Sequence, residues 1–358
     1  MGKEQKMTDP IDVRYLFRMT DSTGMFQHAV LGVPDPSEGY TTDDNARALV
    51  LAAMLYERSC DKRYEELMVR YLSFLLYAEK GRWFRNFMGY DRHFTEKRGS
   101  EDCFGRCLLA LGYTASRTNL PENVRNCAER LLHRTVSSCS SLTFPKGKAY
   151  ASVGLSLWKA EDAVPYLEML RESLADTYLQ CRRENWRWFE DKITYCSAVL
   201  PLAILCAFDV KDPKQKIGTE SLGFLSELTF RNGMFVPVGC KGWMKCGGKA
   251  AVYDEQPVEA CSMMFTCLKA YNLTGNGIYL ERAKQCFFWY LGCNIGRTSL
   301  IDPETGGCRD GLARKGINGN EGAESLICWL TAALLAEQNG WYPPAKTPPV
   351  QSAQILWL

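Results

Sequence analysis

Asn45-Ala-Arg-Ala-Leu-Val-Leu-Ala-Ala-Met-Leu-Tyr-Glu57 follows directly on the acid pair Asp43-Asp44. A helix over 45–57 is apolar on nearly every side, and such a helix belongs inside a protein. A second stretch of the same kind, Ser325-Leu-Ile-Cys-Trp-Leu-Thr-Ala-Ala-Leu-Leu-Ala336, lies near the other end of the chain. Between them one plan recurs: a loop carrying aromatic, acidic or basic residues, then an all-round apolar helix. Six such segments start near Asp44, Asp102, Lys148, Tyr195, Glu255 and Glu321, at intervals of 58, 46, 47, 60 and 66 residues. Recurrence at a roughly constant spacing marks a repeat architecture.

The segments in between carry a single apolar stripe. Tyr64, Leu67, Met68, Tyr71, Leu72 and Leu75 recur at helical spacing, and so do Tyr279, Ala283, Cys286, Phe287, Tyr290 and Leu291. A one-sided stripe covers an inner layer and turns its other face to water. Stretches 122–135, 163–180 and 215–229 fit the same role, and 11–19 supplies a sixth. Pro121, Asp212-Pro213 and Thr274-Gly275 break the chain between them. Six inner helices alternating with six outer ones predict an all-α fold, an (α/α)6 toroid. One domain is expected over residues 1–358, with strands confined to short hairpins such as those around 83–94 and 234–238. All inner helices then run parallel, and their N-terminal face collects the loops.

Composition narrows the function. Forty-three basic against forty-one acidic residues leave a formal charge of +2. That balance gives no electrostatic reason to expect nucleic acid or an anionic membrane as partner. The longest uncharged stretch, residues 193–208, contains Pro201 and is shorter than the ~20 residues of a membrane span. Met1 to Pro10 lacks the apolar run of a secretory signal. Most of the sixteen Cys sit in apolar helical runs, where a thiol acts as a small hydrophobe. No CxxC pair occurs, and Cys103/Cys107 has no further ligands nearby, so no metal site and no cofactor are expected. The expected compartment is a reducing cytoplasm.

Acids begin five of the six inner helices: Asp43-Asp44, Glu101-Asp102, Glu190-Asp191, Asp254-Glu255 and Glu321. Any one of them could be a helix cap or a partner of the helix dipole. Adjacent pairs on several helices that meet at one face point further, to general acid–base work on glycosidic oxygens and to binding of sugar hydroxyls. Asp44, Asp102 and Asp254 are the catalytic candidates. The second and fifth inner helices stand opposite in the ring order, so Asp102 and Asp254 are expected to face each other. One of these two is the expected acid, and Asp44 the base or a clamp on sugar hydroxyls. Tyr40, Asp43, Trp83, Arg92, Trp188, Asp191, Trp243 and Glu255 are the expected substrate-binding residues. The aromatics among them are read as platforms for sugar rings, partly exposed in the mouth with Arg92. The glycine-rich stretch 302–311 lacks the GK[ST] of a phosphate-binding loop and is read as a rim. Its Arg309 and Asp310, with Asn320 and Glu321, complete the binding set.

Six motifs occur in order: Thr20 to His28, Gly39-Tyr-Thr-Thr-Asp-Asp-Asn-Ala-Arg47, Ser100 to Arg106, Trp188-Phe-Glu-Asp191, Asp254-Glu-Gln-Pro-Val-Glu259 and Asn320-Glu-Gly-Ala-Glu-Ser325. Over nearly the whole chain they resemble a bacterial domain of the six-hairpin glycosidase type that is often fused to glycosyltransferases. The TTDDNAR element is the most specific of them. The resemblance implies an (α/α)6 fold and carbohydrate as ligand. Members often read DQQP and NQGAES where this chain has Glu255 and Glu321, which moves catalytic weight from those two to Asp44, Asp102 and Asp254.

The leading expectation is a glycoside hydrolase acting on an oligosaccharide. The competing one is a non-catalytic glycan-binding module that partners a glycosyltransferase. Sugar epimerisation or isomerisation commonly uses several histidines, and only His28 and His93 fall in the motif loops. Terpene cyclisation is set aside, because Thr41-Thr-Asp-Asp-Asn45 contains neither DDxxD nor DxDD.

Overall fold

The computed structural model describes residues 11–342. The short N-terminal stretch up to Pro10, and parts of the expected 1–358 domain at both ends, lie outside that range. Twelve α-helices are present among the described residues. Six form the inner layer: α2 (Thr42–Ser59), α4 (Glu101–Ser116), α6 (Pro145–Trp158), α8 (Val199–Ala207), α10 (Pro257–Thr274) and α12 (Ala323–Gln338). Each packs on the next, and α12 packs back on α2, which closes the ring. The outer layer is α1 (Arg14–Arg18), α3 (Lys62–Ala78), α5 (Glu122–Thr135), α7 (Val164–Cys181), α9 (Lys216–Thr229) and α11 (Gly277–Tyr290). Outer helices lie on the inner helices beside them in the chain, and α1 lies on α12. The chain is an (α/α)6 toroid.

Every inner helix starts within four residues of its expected position. The largest offset is at α8. Its start is delayed because Lys192–Ile193 first pairs with Met244–Lys245, and Pro201 then sits in the first turn, where a missing N–H costs little. Outer α1 is shorter than expected. Most of the loss is at its start, where Asp12 accepts the Arg14 N–H at 3.0 Å ahead of the first turn, while Asp21, accepting from the N–H groups of Thr23 and Gly24, turns the chain beyond its end.

Helices α4 and α6 approach most closely. A Cβ on Gly112 would stand 2.2 Å from the carbonyl oxygen of Gly154, and one on Gly105 2.5 Å from that of Gly147. Two glycines on each helix therefore set this spacing. Among the described residues strands are limited to two-residue pairs, including the hairpins at 79–84 and 230–235. A longer-range pair, Tyr40–Thr41 with Phe87–Met88, ties the entry of α2 to the loop before α4. Among the described residues no helix is long and apolar enough to cross a membrane.

Candidate active site at the mouth of the ring

The N-termini of α2, α4, α10 and α12 share one face, as parallel inner helices require. The acids at these starts are not the caps. Thr41 accepts from the Asp44 N–H at 3.1 Å, and Ser100 accepts from the Cys103 N–H at 3.1 Å. Helices α10 and α12 have no capping side chain at their N-cap residues, Gln256 and Gly322. The acids therefore do not cap their own helices, and where each carboxylate goes is decided by its tertiary neighbours; Glu101, for one, accepts from the N–H groups of Thr143 and Phe144 at the start of α6.

A polar cavity of about 400 Å³ opens over α2, α10 and α12. Its walls include Gln27, His28, Asp43, Asp44, Arg47, Phe87, Asp254, Gln256, Asp310 and Glu324. Arg47 organises them. Its guanidinium lies 2.8 Å from Asp44 Oδ1, 3.4 Å from Asp43 Oδ2 and 2.6 Å from Glu324 Oε2. The spacing is helical: Asp43 and Asp44 stand four and three residues before Arg47, on one face of α2. Arg106 of α4 adds a contact at 3.2 Å from Asp43 Oδ1.

Asp44 is buried, and Oδ2 accepts the Thr41 hydroxyl at 2.6 Å. Burial pushes its pKa up to about 6. Arg47 opposes that rise, the Asp43 charge adds to it, and the Thr41 hydrogen bond works against it. Burial raises Asp43 as well, again against Arg47. Asp254 enters on the extended segment before α10. Its Oδ2 lies 3.0 Å from the Lys241 ammonium, and its buried Oδ1 has no hydrogen-bond partner. Asp310 Oδ1 accepts from the Gly322 N–H at 2.7 Å and the Ser325 hydroxyl at 2.8 Å, so it anchors the start of α12 while lining the cavity.

Several expected site residues stand elsewhere. Asp102, in the first turn of α4, is not in the cavity wall; its Oδ2 accepts the Tyr195 hydroxyl at 2.6 Å. Burial raises its pKa, opposed by that hydrogen bond and by Lys146. Glu255 is fully buried and accepts from Trp289 Nε1 at 2.7 Å, and burial pushes its pKa up to about 7. Glu321 is also fully buried, behind the wall, where it accepts from the Thr305 hydroxyl and pairs with Arg309 at 2.9 Å. Arg309 is tied to Gly319 O and to Asp302 as well. Glu255, Glu321 and Arg309 thus brace the scaffold. Asn320 and Asp191 are exposed outside the cavity lining.

The aromatic platforms need the clearest correction. Tyr40, Trp83 and Trp188 are buried, not partly exposed in the mouth. Trp188 packs on Phe189 of its own loop and on Phe224 of α9. Trp83 stacks on Phe104 at 4.1 Å under the Arg98 guanidinium, and its Nε1 donates to Gly99 O. Tyr40 stacks on Phe26 and donates its hydroxyl to Asp21. A ring that removes 150–250 Å² from water gains more by burial than by waiting at a surface. Arg92 is exposed on a loop outside the cavity lining, where it donates to Ser22. Trp243 alone of the expected aromatics is half-buried.

Sequence reasoning missed Arg47, Glu324, Gln27, His28, Gln256 and Phe87 in the wall. Arg47 had a readable signal, an arginine one helical turn after an acid pair. Phe87 had none, because its exposure follows from the strand pair with Thr41.

No family model matches the chain, nor does any curated protein. Solved structures of similar shape do. A sugar epimerase from a ruminal bacterium superposes with a TM-score of 0.67 at 11% identity, over 90% of this chain and 96% of that one. Cellobiose 2-epimerase from Spirochaeta thermophila gives a TM-score of 0.67 at 13% identity, over 92% and 95%. An α-mannanase from Bacteroides thetaiotaomicron gives 0.62 at 10% identity, over 92% and 94%. At such identities the likeness carries the fold and not the chemistry.

Proposed function

We propose that this chain is a carbohydrate-active enzyme, a glycoside hydrolase acting on an oligosaccharide, with Asp44 as general acid and Asp254 as general base. The observation that carries the reading is the contrast between two carboxyls in one polar cavity. Burial favours the protonated form of Asp44, with a pKa of about 6, whereas Asp254 keeps Oδ2 beside the Lys241 ammonium, which favours its charge, and its buried Oδ1 without a hydrogen-bond partner. Two carboxyl groups whose surroundings differ in this way are suited to opposite proton-transfer roles. Asp44 gives its proton to the glycosidic oxygen as the bond to the anomeric carbon breaks. Asp254 takes a proton from the water that attacks that carbon. These roles reverse the expected ones, and Asp102 drops out of the proton transfers.

Support for a sugar comes from the cavity's hydroxyl-matching side chains, from the motif resemblance, and from neighbours named as epimerases and a mannanase. One observation favours a second reading. His28 stands in the same wall, and an imidazole is suited to the carbon-to-carbon proton shuttling of epimerisation. A glycosyltransferase remains the protein partner to test, on the resemblance alone.

The test is a panel of α- and β-linked gluco-, manno- and galacto-oligosaccharides, read by product analysis and by thermal shift. Hydrolysis predicts shorter products, and Asp254→Asn lowers their rate by at least about 100-fold. Conversion without loss of chain length would transfer the proposal to epimerisation. Binding without conversion would make the chain a binding module. A panel that neither binds nor reacts would overturn the proposal.

A further inference from the structure

Beyond the polar cavity, the mouth of the ring holds an aromatic face that is fixed in position yet open to solvent. Tyr195 is 40% exposed although its hydroxyl is committed to Asp102 at 2.6 Å. One side of its ring carries the buried Lys146 ammonium, 4.1 Å from the centroid. Lys146 is itself held by Thr194. Trp243 stands 6.2 Å away, its plane tilted by 58°. The Trp243 backbone adopts φ +54° and is fixed by bonds to Gly239 and Ala251. Anchoring a hydroxyl, stacking a cation and tilting a tryptophan against an exposed ring removes its rotational freedom before any ligand arrives.

The same loop reaches the cavity. Cys240 lines it, and Lys241 pairs with Asp254. Three residues later Met244–Lys245 pairs with Lys192–Ile193, one residue short of Tyr195. A chain leaving the cavity past Cys240 therefore meets Trp243 and Tyr195 next.

We propose that Tyr195 and Trp243 form a second sugar subsite that continues the cavity along the 239–245 loop, so that the ligand is an oligosaccharide longer than the cavity alone accommodates. The inference rests on the reading of the cavity as a sugar site. The exposed part of the Tyr195 ring gives a pyranose an apolar surface of fixed orientation with the half-buried Trp243 inclined beside it, and Asp102 and Lys146 hold the tyrosine in place. Asp102 thereby becomes a positioning residue.

Chain-length dependence tests it. Oligosaccharides of two to five units from the panel series that binds are titrated calorimetrically into the parent protein, Tyr195→Ala, Tyr195→Phe and Trp243→Ala. Loss of one aromatic contact should weaken the four- and five-unit ligands by roughly two- to tenfold more than the two-unit ligand. Tyr195→Phe keeps the ring and should keep most of the gain with length. Trp243→Ala, at a half-buried position, gives the same readout if Tyr195→Ala is too unstable to measure. An equal loss at every length would assign both residues a structural role and overturn the subsite while leaving the cavity reading intact. No dependence of affinity on length in the parent protein would overturn it too. Failure of every sugar to bind would remove the cavity reading and the subsite together.

Discussion

Replacing Asp44 by Asn separates catalysis from architecture in one variant. Asparagine has the same shape, and its carbonyl oxygen can still accept from Arg47, 2.8 Å from Asp44 Oδ1. The amide nitrogen takes the place of Oδ2, which requires the Thr41 hydroxyl to accept instead of donate. The proton is what the variant lacks. As the proposed general acid, Asp44 should account for ~10²–10⁴-fold of the rate. Stability should move in the opposite direction. Burial raises the Asp44 pKa from 3.8 to about 6 in the folded protein. The native state then holds this proton to higher pH than the unfolded chain does, so stability falls as pH rises from about 4 to about 6. Once both states are ionised, the shift corresponds to at most about 3 kcal/mol of lost stability. Asp44→Asn has no such dependence. Urea denaturation at steps from pH 4 to pH 7 should therefore show the variant gaining on the parent by up to that amount, with turnover measured on the same samples. A stability difference independent of pH would refute the burial argument. Turnover within tenfold of the parent would refute the assignment of the acid.

Glu255→Gln should leave turnover within tenfold, because Glu255 faces Trp289 in the core and glutamine can accept the same hydrogen bond. With its pKa pushed up to about 7 by burial, Glu255 costs stability as pH rises from about 4.5 through 7, so the glutamine variant should gain on the parent across that window in the same urea series. Trp188→Ala should cost about 3–5 kcal/mol in urea denaturation, as expected for emptying a buried tryptophan site. A loss below 1 kcal/mol with weakened sugar binding would restore Trp188 as a ligand platform.

Arg47 shows where reading a sequence as a series of helix starts runs short. Its sequence position places it on the face of α2 that carries Asp43 and Asp44. The third partner, Glu324, comes from the other end of the chain and arrives only because α12 closes on α2. Asp102 and Asp254 illustrate the converse. Ring order put their helices on opposite sides of the mouth, yet the 254 segment turns its carboxyl into the cavity while Tyr195 holds Asp102 outside it.

Periodicity alone was enough for the toroid. All-round apolar helices have to be enclosed and one-sided helices have to enclose them, and six of each leave few other ways to keep both kinds of surface satisfied. Helix starts were legible for the same reason, since they mark where the apolar period begins. The fate of individual loop side chains was not. Trp188 in a loop and Tyr195 in a loop carry the same kind of apolar ring, and composition cannot say which lies under a neighbouring helix. Packing against Phe224 seals the first, while the anchor to Asp102 holds the second at the surface. The unpartnered Asp254 oxygen and the raised pKa of Asp44 belong to this second category. Both depend on how much water the assembled ring leaves around a carboxyl, a property of the closed structure that no segment has by itself.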